Sequence, residues 1–469
     1  MELDPLLLSR IQFAFVVSFH AIFPVFTIGL AAYIAVLEAL HYRTRQPVYL
    51  RLSQFWTRVF ALVFGMGVVS GIVMSFQFGT NWSNFSYQAA NFLGPILSYE
   101  VVTAFFLEAT FLGILLFGRD KVPPGAHLFA ACMVAVGTFI SSFWILAANS
   151  WMHTPAGVEF VDGVIRITSW SEAIFNASLP YRFAHMGLAS FITGGFVVAG
   201  VSAWYLLRGR HRDSSLKALR MSLLMLAAAT PLQLLVGDLH GLNTFEEQPV
   251  KVAAMEGHWE TRRGAPLILF AIPDSGREMN HLEVAIPRLG SLILTHSLDG
   301  EVTGLKSVPP EDRPPVAIVF WSFRVMVGLG ILFIIVAVLG AIQMLRGRLE
   351  QSPRLLRLIS WMIPLPFVAV LAGWFVTEIG RQPWIIQDMM RLSEALTPSL
   401  SGGMVLATLI GYVGVYVIVF AAGLTYLRRV ILAGPAPDGG ARDRDSAHAK
   451  RPWSAVERGS GANPAAERS

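Results

Sequence analysis

The sequence predicts an all-α polytopic membrane protein, a bundle of nine transmembrane helices with its N-terminus periplasmic and its C-terminus cytoplasmic. Three observations predict it. The chain of 469 residues is 54% hydrophobic and only 14% charged, with a mean hydropathy of +0.55, too apolar for a soluble protein of this size. Its apolar residues gather into stretches of about 20, the length that crosses ~30 Å of hydrocarbon at ~1.5 Å per residue. The connections between them alternate in Lys and Arg content, and cytoplasmic loops are the basic ones.

In chain order the apolar stretches run from Phe13 to Leu40, Phe55 to Phe78, Pro95 to Phe117, Leu128 to Ser150, Ala184 to Leu207, Leu219 to Val236, Val316 to Leu345, Leu358 to Phe375 and Gly402 to Leu427. Arg43, Arg45, Arg51 and Arg58 follow the first helix, Arg119 and Lys121 the third, Arg208, Arg210, Arg212, Lys217 and Arg220 the fifth, and Arg346, Arg348, Arg354 and Arg357 the seventh. The connection after the second helix has no basic residue, and those after the fourth and eighth have two each (Arg166 and Arg182; Arg381 and Arg391). This asymmetry sets the predicted orientation. The start, MELDPLLLSR, lacks a basic n-region, so the first helix is read as permanent and not as a cleaved signal.

The chain therefore divides into helices 1–6 over residues 1–237, an outer segment over 238–315, helices 7–9 over 316–430, and a tail over 431–469. A connection as long as the outer segment is usually functional or disordered. Strings within it, such as LILFAIPDSGREMNHLEVAIPRLGSLILTH, are compatible with short strands or hairpins, and the sequence leaves them open. The tail is rich in Gly, Pro, Ala and charge and is expected to be a disordered cytoplasmic extension. No internal repeat suggests an inverted-repeat transporter. The net charge of +5 does not point to nucleic acid, because the basic residues are explained by topology. The lone Cys132 excludes an internal disulfide and a C-x-x-C-H haem attachment.

Six groups that a bilayer should reject, His20, Glu100, Glu108, His185, Arg324 and Glu378, sit inside or at the rim of the apolar stretches. A charge at the centre of a transmembrane helix costs on the order of 2.5 to 3.5 kcal/mol even on the lenient insertion scale, so several together call for a ligand or a partner. The predicted orientation gives each a depth. His20 falls in the outer third of helix 1, Glu100 near the outer end of helix 3 with Glu108 about 12 Å deeper, His185 at the outer start of helix 5, Arg324 and Met326 in the outer part of helix 7, and Glu378 at the outer end of helix 8. Four helices thus bring possible iron ligands to one face. His with Met is the axial pair of a low-spin electron-transfer haem, whereas a single protein ligand leaves an iron position open for oxygen. His185 with Met326 fits the first pattern; His20 and Glu378 are candidates for the second. Arg324 and Met326 are two residues apart, about 200° around a helix, so Arg324 is expected to serve a propionate or carboxylate elsewhere.

Each residue also has a plainer reading. A single His in an apolar helix is often a hydrogen-bonded packing residue, a Met is ordinarily core filler, Pro24 is a kink, and Glu100 and Glu108 can pair with basic residues of a neighbouring subunit. Their joint placement distinguishes the readings.

The strings LSRIQFAFVVSFHAIFP, VTAFFLEATFLGILLFG, SSFWILAANSWM, RFAHMGLASFITG, KVAAMEGHWET, FWSFRVMVG and GWFVTEIGRQPW together resemble subunit I of the cytochrome bd-type quinol oxidases. The resemblance covers roughly residues 1 to 430, and the shortened outer loop is most similar to the cyanide-insensitive, short-Q-loop branch. It implies an electrogenic ubiquinol or menaquinol:oxygen oxidoreductase of the bacterial cytoplasmic (inner) membrane, without a pump. His185 and Met326 look like the axial ligands of a low-spin haem b of the b558 type. His20 and Glu378 look like the ligands of two further haems, a high-spin haem b of the b595 type and haem d or a haem b in its place; which holds the oxygen-reducing one is left open. Lys251 and Glu256 match quinol-site residues, Arg324 the Arg of the FWSFR string, and Asn149 falls near the haem pair. Trp374, Glu378 and Arg381 lie at i, i+4 and i+7, one face of a helical continuation. Glu108, Glu100, His127 and Ser141 match a proton path from inside. The resemblance further implies a second large subunit, subunit II, possible company from a tiny single-helix subunit, and quinol, dioxygen and lipid as the other partners, with no nucleic acid.

Two other classes compete with this reading. A haem-free proton-coupled transporter using Glu100 and Glu108, or an interaction subunit, explains buried carboxylates. Neither explains His185, Met326, His20 and Glu378 on one face.

Overall fold

The structure is a computed structural model describing residues 3–436. Among them are nine helical spans long and apolar enough to cross a bilayer: α1 Pro5–Thr44, α2 Pro47–Thr80, α3 Ala90–Phe117, α4 Pro124–His153, α5 Leu179–Leu207, α6 Arg212–Glu247, α7 Val316–Leu345, α8 Pro353–Ile379 and α9 Gly402–Ala433. Every apolar stretch read from the sequence lies inside one of them. The helices are longer than the stretches because hydropathy ends at the first charge, while the helix continues as a polar turn into water. Starts are locally encoded. Asp4 caps α1 by accepting from the Leu6 backbone N–H at 2.9 Å, Ser401 caps α9, and Pro occupies the first turn of α1, α2, α4 and α5, where its missing N–H costs nothing.

Two spans are not uniform. α3 contains a π-helical turn, Val101–Phe105, between Ala90–Glu100 and Phe106–Phe117. α8 is interrupted between Pro353–Trp361 and Leu365–Ile379, where Pro364 and Pro366 remove backbone donors.

The connections after α2, α4, α6 and α8 fall on one end of the bundle, here called the loop face, and they are the folded ones. Four two-stranded antiparallel sheets decorate it: β1 Val158–Val161 with β2 Val164–Ile167, β3 Arg262–Arg263 with β6 Glu301–Val302, β4 Leu267–Asp274 with β5 Met279–Ile286, and β7 Trp384–Ile386 with β8 Met390–Arg391. The long segment expected to begin at Asp238 begins later, because α6 runs through Asp238 to Glu247. The segment then forms a short helix, Pro249–Glu256, the β4–β5 hairpin and a second short helix, Leu289–Thr295. Residues 431–433, assigned by sequence to the tail, complete α9; from residue 437 the expected disordered tail lies outside the described residues.

α5 is the most enclosed span, packed on α1, α6, α4 and α8. Its contact with α1 is a close backbone approach. A Cβ built on Gly29 would sit 2.1 Å from the Ser190 carbonyl oxygen, and one on Gly194 would meet Gly29 backbone at 3.0 Å. Ser190 and Gly194 are four apart, the small-residue spacing that lets membrane helices approach closely. Phe23, Leu30, Ile34, Leu37, Trp56 and Phe60 form the core beside this crossing.

Gly29→Ala is expected to destabilise the bundle by about 1–3 kcal/mol through overpacking, whereas Gly65→Ala, where a Cβ meets nothing within 4 Å, should be neutral. The thermal transition of the two purified variants, followed by size-exclusion chromatography after heating, checks the difference.

Candidate active site

The expected residues take part in three arrangements. The first centres on Glu378, the penultimate residue of α8. Its Oε1 accepts from Asn149 Nδ2 at 2.8 Å, and its Oε2 accepts from Arg381 Nη2 at 2.6 Å. His153 Nε2 lies 3.5 Å from Oε1. Asn149 and His153 are four residues apart on α4, one turn, and so reach the same carboxylate. Arg381 is not on a helical continuation, as its i, i+4, i+7 spacing suggested: α8 ends at Ile379, and Arg381 folds back from the following turn.

The network continues into the outer segment. Lys251 Nζ is 3.0 Å from His153 Nδ1 and donates to Gln248 Oε1 at 2.7 Å, and Gln248 Nε2 donates to Gln387 Oε1 at 2.7 Å. Lys251, Arg381, Arg182 and His153 are all buried. Burial and the positive charges of Arg182 and Arg381 push the Lys251 ammonium well below the usual lysine range, with Glu378 acting in the opposite sense. Burial likewise lowers Arg381. Its Nε and Nη1 have no hydrogen-bond partner, so this corner holds more cationic donors than the protein satisfies.

The second arrangement is an ion pair. Arg324 Nη2 donates to Glu256 Oε2 at 2.8 Å, Nη1 to the Met255 carbonyl at 3.1 Å, and Nε to the Ile268 carbonyl at 2.9 Å; the guanidinium also lies over the Phe320 ring at 4.5 Å. Arg324 thus pairs with a carboxylate, that of Glu256. Lys251 and Glu256, neighbours in KVAAME, thus take different partners. They are five residues apart on the short helix, about 140° around its axis.

The third arrangement is a set of donors from separate helices. Met326 Sδ lies where a Cβ on Gly373 of α8 would be 3.0 Å away, and His185 Cε1 is 3.3 Å from a Cβ built on Gly237 of α6. His185 is partly buried, and its enclosed Nδ1 has no hydrogen-bond partner. His240 is its ring neighbour, with centroids 5.5 Å apart. His20 Nδ1 is 2.9 Å from Ser70 Oγ, whose hydroxyl donates to the Gly67 carbonyl at 2.9 Å. The hydroxyl proton is therefore committed, His20 Nδ1–H must be the donor, and Nε2 keeps its lone pair. That is the tautomer a metal ligand needs. Trp374 Nε1 is another buried donor without a partner.

These observations fit haem. Among the described residues no cluster of three or more His, Cys, Asp or Glu could hold a bare metal ion. Haem needs none, since the porphyrin supplies the equatorial nitrogens and the protein only axial ligands and propionate partners. Two histidines with uncommitted nitrogens, a thioether beside a glycine, and a guanidinium with spare donors are that complement. Glu378 already accepts hydrogen bonds at both oxygens; Oε2 retains a second lone pair, whereas that of Oε1 faces His153 Nε2.

On the flank of α3, Glu100 Oε1 accepts from Ser141 Oγ of α4 at 2.7 Å, while Trp144 Nε1 donates to Thr103 Oγ1 at 2.9 Å. Glu108 is buried, its Oε1 without a partner, and its Cγ fills the space where a Gly137 Cβ would lie, at 2.6 Å. The π turn separates the two acids, and such turns concentrate at functional sites. His127 lies apart from both, toward the opposite end of the bundle. Its Nδ1 is 3.2 Å from Glu38 Oε2 and its Nε2 is 3.2 Å from the Leu115 carbonyl. Arg119 and Ser53 also bond the Glu38 carboxylate. Glu38, His153, Arg182, Gln248 and Ser70 were not singled out from sequence. For His153 the signal was available in AANSWMH, one turn beyond Asn149; for Glu38 it was the lone acid of AVLEAL.

Comparison with known proteins gives a consistent answer. The family model described as cytochrome bd terminal oxidase subunit I matches residues 8–435. The cytochrome bd-II ubiquinol oxidase subunit 1 of Escherichia coli (strain K12) is 34% identical, covering 92% of this chain and 97% of its own. The cytochrome bd ubiquinol oxidase subunit 1 of Bacillus subtilis (strain 168) is 35% identical, covering 91% and 93%. A chain of the bd oxidase from Geobacillus thermodenitrificans superposes with a TM-score of 0.85 at 32% identity, covering 92% of this chain and all of that one. With its nine membrane-crossing helices and a match along nearly its whole length, the chain belongs to the cytochrome bd terminal oxidase subunit I family, multi-pass proteins of the bacterial cytoplasmic membrane.

Proposed function

We propose that the chain is the haem-bearing subunit of a terminal quinol oxidase. It oxidises quinol on the loop face, placed outside, and reduces dioxygen to water with protons drawn from the cytoplasm, so that membrane potential arises without a pump. One observation carries the reading: the short helix Pro249–Glu256 joins a buried carboxylate–guanidinium pair at one side to the Lys251–His153–Glu378 network at the other. A quinol site and a cofactor site share that helix.

Haem, when bound, supplies one-electron transfer and an iron that takes oxygen. His185 and Met326 would hold the low-spin haem b, and His20 and Glu378 the two high-spin haems, with Asn149 and Arg381 fixing the Glu378 carboxylate. Trp374 Nε1 and the free guanidinium nitrogens of Arg381 are further donors available to these groups. Glu256 accepts the proton of a quinol hydroxyl, and Arg324 holds its carboxylate oriented. Lys251, its ammonium disfavoured by burial and by Arg182 and Arg381, is suited to hydrogen-bond the second quinol oxygen.

On the input side, Glu38, Arg119 and His127 form a polar entry at the basic end of the bundle. Glu108, Glu100 and Ser141 carry protons along the α3–α4 seam toward the loop face. The exposed apolar flanks of α3 and α9 suit subunit II, with a single-helix subunit as a further partner.

Met326→Leu preserves volume and removes the sulfur; the reduced-minus-oxidised spectrum of the purified complex should lose the low-spin haem b band, and an unchanged spectrum would end the assignment. Glu256→Gln should slow quinol oxidation by about a hundredfold, the usual scale for a lost general base, while oxygen uptake from an artificial donor that reduces the haems directly stays near wild type. Glu108→Leu should slow turnover and reduce charge movement per oxygen in proteoliposomes; normal values of both would exclude the seam as the route.

A further inference from the structure

Among the described residues, the β4–β5 hairpin has an outer face left largely uncovered, touching α7 through Phe270 and Trp321. Its inner face is settled: Ile268 and Ala271 pack on Phe320 of α7, Arg324 binds the Ile268 carbonyl, and Asn280 donates to the Gly257 carbonyl at 2.9 Å while accepting from Trp259 Nε1 at 3.0 Å. The hairpin is thus held in a fixed attitude. Its outer face carries Phe270, Ile272, Leu282, Val284 and Ile286, all exposed, Leu282 by 72%. Phe270 pairs directly with Val284 across the strands, so they share that face.

Its polar groups are paired, including His281, which lies opposite Ile272 across the strands. Asp274 pairs with His281 at 3.1 Å, Glu278 at the turn with Arg313 at 2.6 Å, and Glu283 accepts from Asn280 at 3.0 Å. An exposed apolar surface of this kind with a polar rim marks an interaction site.

What covers it follows from the neighbour it continues. Phe270 packs edge-on against Trp321 of α7, with ring centroids 5.2 Å apart. Trp321 lies in an exposed stripe with Ile318 and Val325 that runs down the membrane-crossing helix. α7 has 30 residues, about 45 Å of helix, against ~30 Å of hydrocarbon, so a centred helix projects ~7 Å at each end. Trp321 is five residues, ~7 Å, from the start at Val316. It therefore lies at the hydrocarbon boundary, the level that Trp favours, and the hairpin beside it lies at the same level. The helix Leu289–Thr295, packed near β4 and α6, adds exposed Leu292 and Ile293 on the α6 side.

We infer that the β4–β5 hairpin is an interfacial membrane element, its outer apolar face seated against phospholipid at the acyl-chain boundary beside α7. It is the strand counterpart of an in-plane amphipathic helix, and it rests on the membrane topology alone, independent of which reaction the site performs.

The test uses the complete haem-loaded complex in nanodiscs, with Cys132→Ser and a single environment-sensitive fluorophore on Leu282→Cys or Val284→Cys. The control is Asp299→Cys, an exposed site on the same segment. Retained haem absorbance identifies folded samples, and the two hairpin sites serve as alternates. Phospholipid brominated near the top of the acyl chain should quench the hairpin labels at least twofold more than the control, and aqueous iodide should show the reverse order. Iodide quenching of the hairpin labels without an effect of brominated lipid would mean a water-exposed face. Protection from both would mean that another protein surface covers it. Either result overturns the inference.

Discussion

The cost of an uncompensated charge away from water shapes this molecule more than any packing detail. A bilayer offers no solvent to a carboxylate or guanidinium, so each such group must be matched inside the bundle or by something that binds there. The chain meets that demand with internal pairs, between helices or from a helix to an adjoining turn: Glu38 with Arg119 and His127, Glu256 with Arg324, Glu378 with Arg381 and Asn149. Removing one member of such a pair is costly because the other remains buried and unmatched. Groups left without partners include His185 Nδ1, Trp374 Nε1, Arg381 Nε and Nη1 and a Glu108 oxygen. Under the function proposed above, the first three are left for a macrocycle and its carboxylates to satisfy, and the last sits on the proposed proton route.

Much of this was legible in the sequence. Length and hydropathy placed all nine spans, since a helix is the only open-ended way to satisfy a backbone in hydrocarbon. Family strings proposed His20, His185, Met326 and Glu378 as haem ligands, and the Arg324 that they singled out pairs with Glu256. What escaped was the pairing across helices. Glu38 and His127 are far apart in the chain, as are Lys251 and His153, and hydropathy reports depth but not azimuth. The boundary of α6 escaped for a different reason: DLHGLNTFEE is polar, yet it continues the helix to Glu247 because nothing in it interrupts the backbone. Arg381 shows the converse, where Gly380 and Pro383 end a periodicity that spacing alone extends.

The two ends of the bundle have been built for different tasks. One end has short connections that follow α1, α3, α5 and α7, with basic residues and the Glu38 cluster. The other carries every strand, the short helices and the ion pair of Glu256 with Arg324. Chemistry that consumes protons from one side and releases them on the other needs such a division, and no moving part is required to separate charge when the two half-reactions open to opposite compartments.

The π turn in α3 has a geometric consequence for that division. Along a regular helix, residues eight apart differ by about 80° in azimuth, which would turn Glu100 and Glu108 toward different neighbours. A π turn accommodates roughly one extra residue per turn, so the effective separation falls to about 20°, and both acids face α4. They meet Ser141 and Gly137, which are themselves one turn apart. Alignment of the two carboxyls is thus written into the phase of a helix by a single surplus residue: deleting one position between Val101 and Phe105 would leave a regular helix with the acids seven apart and still within about 20°, whereas regularising the turn at its present length would swing them about 80° apart.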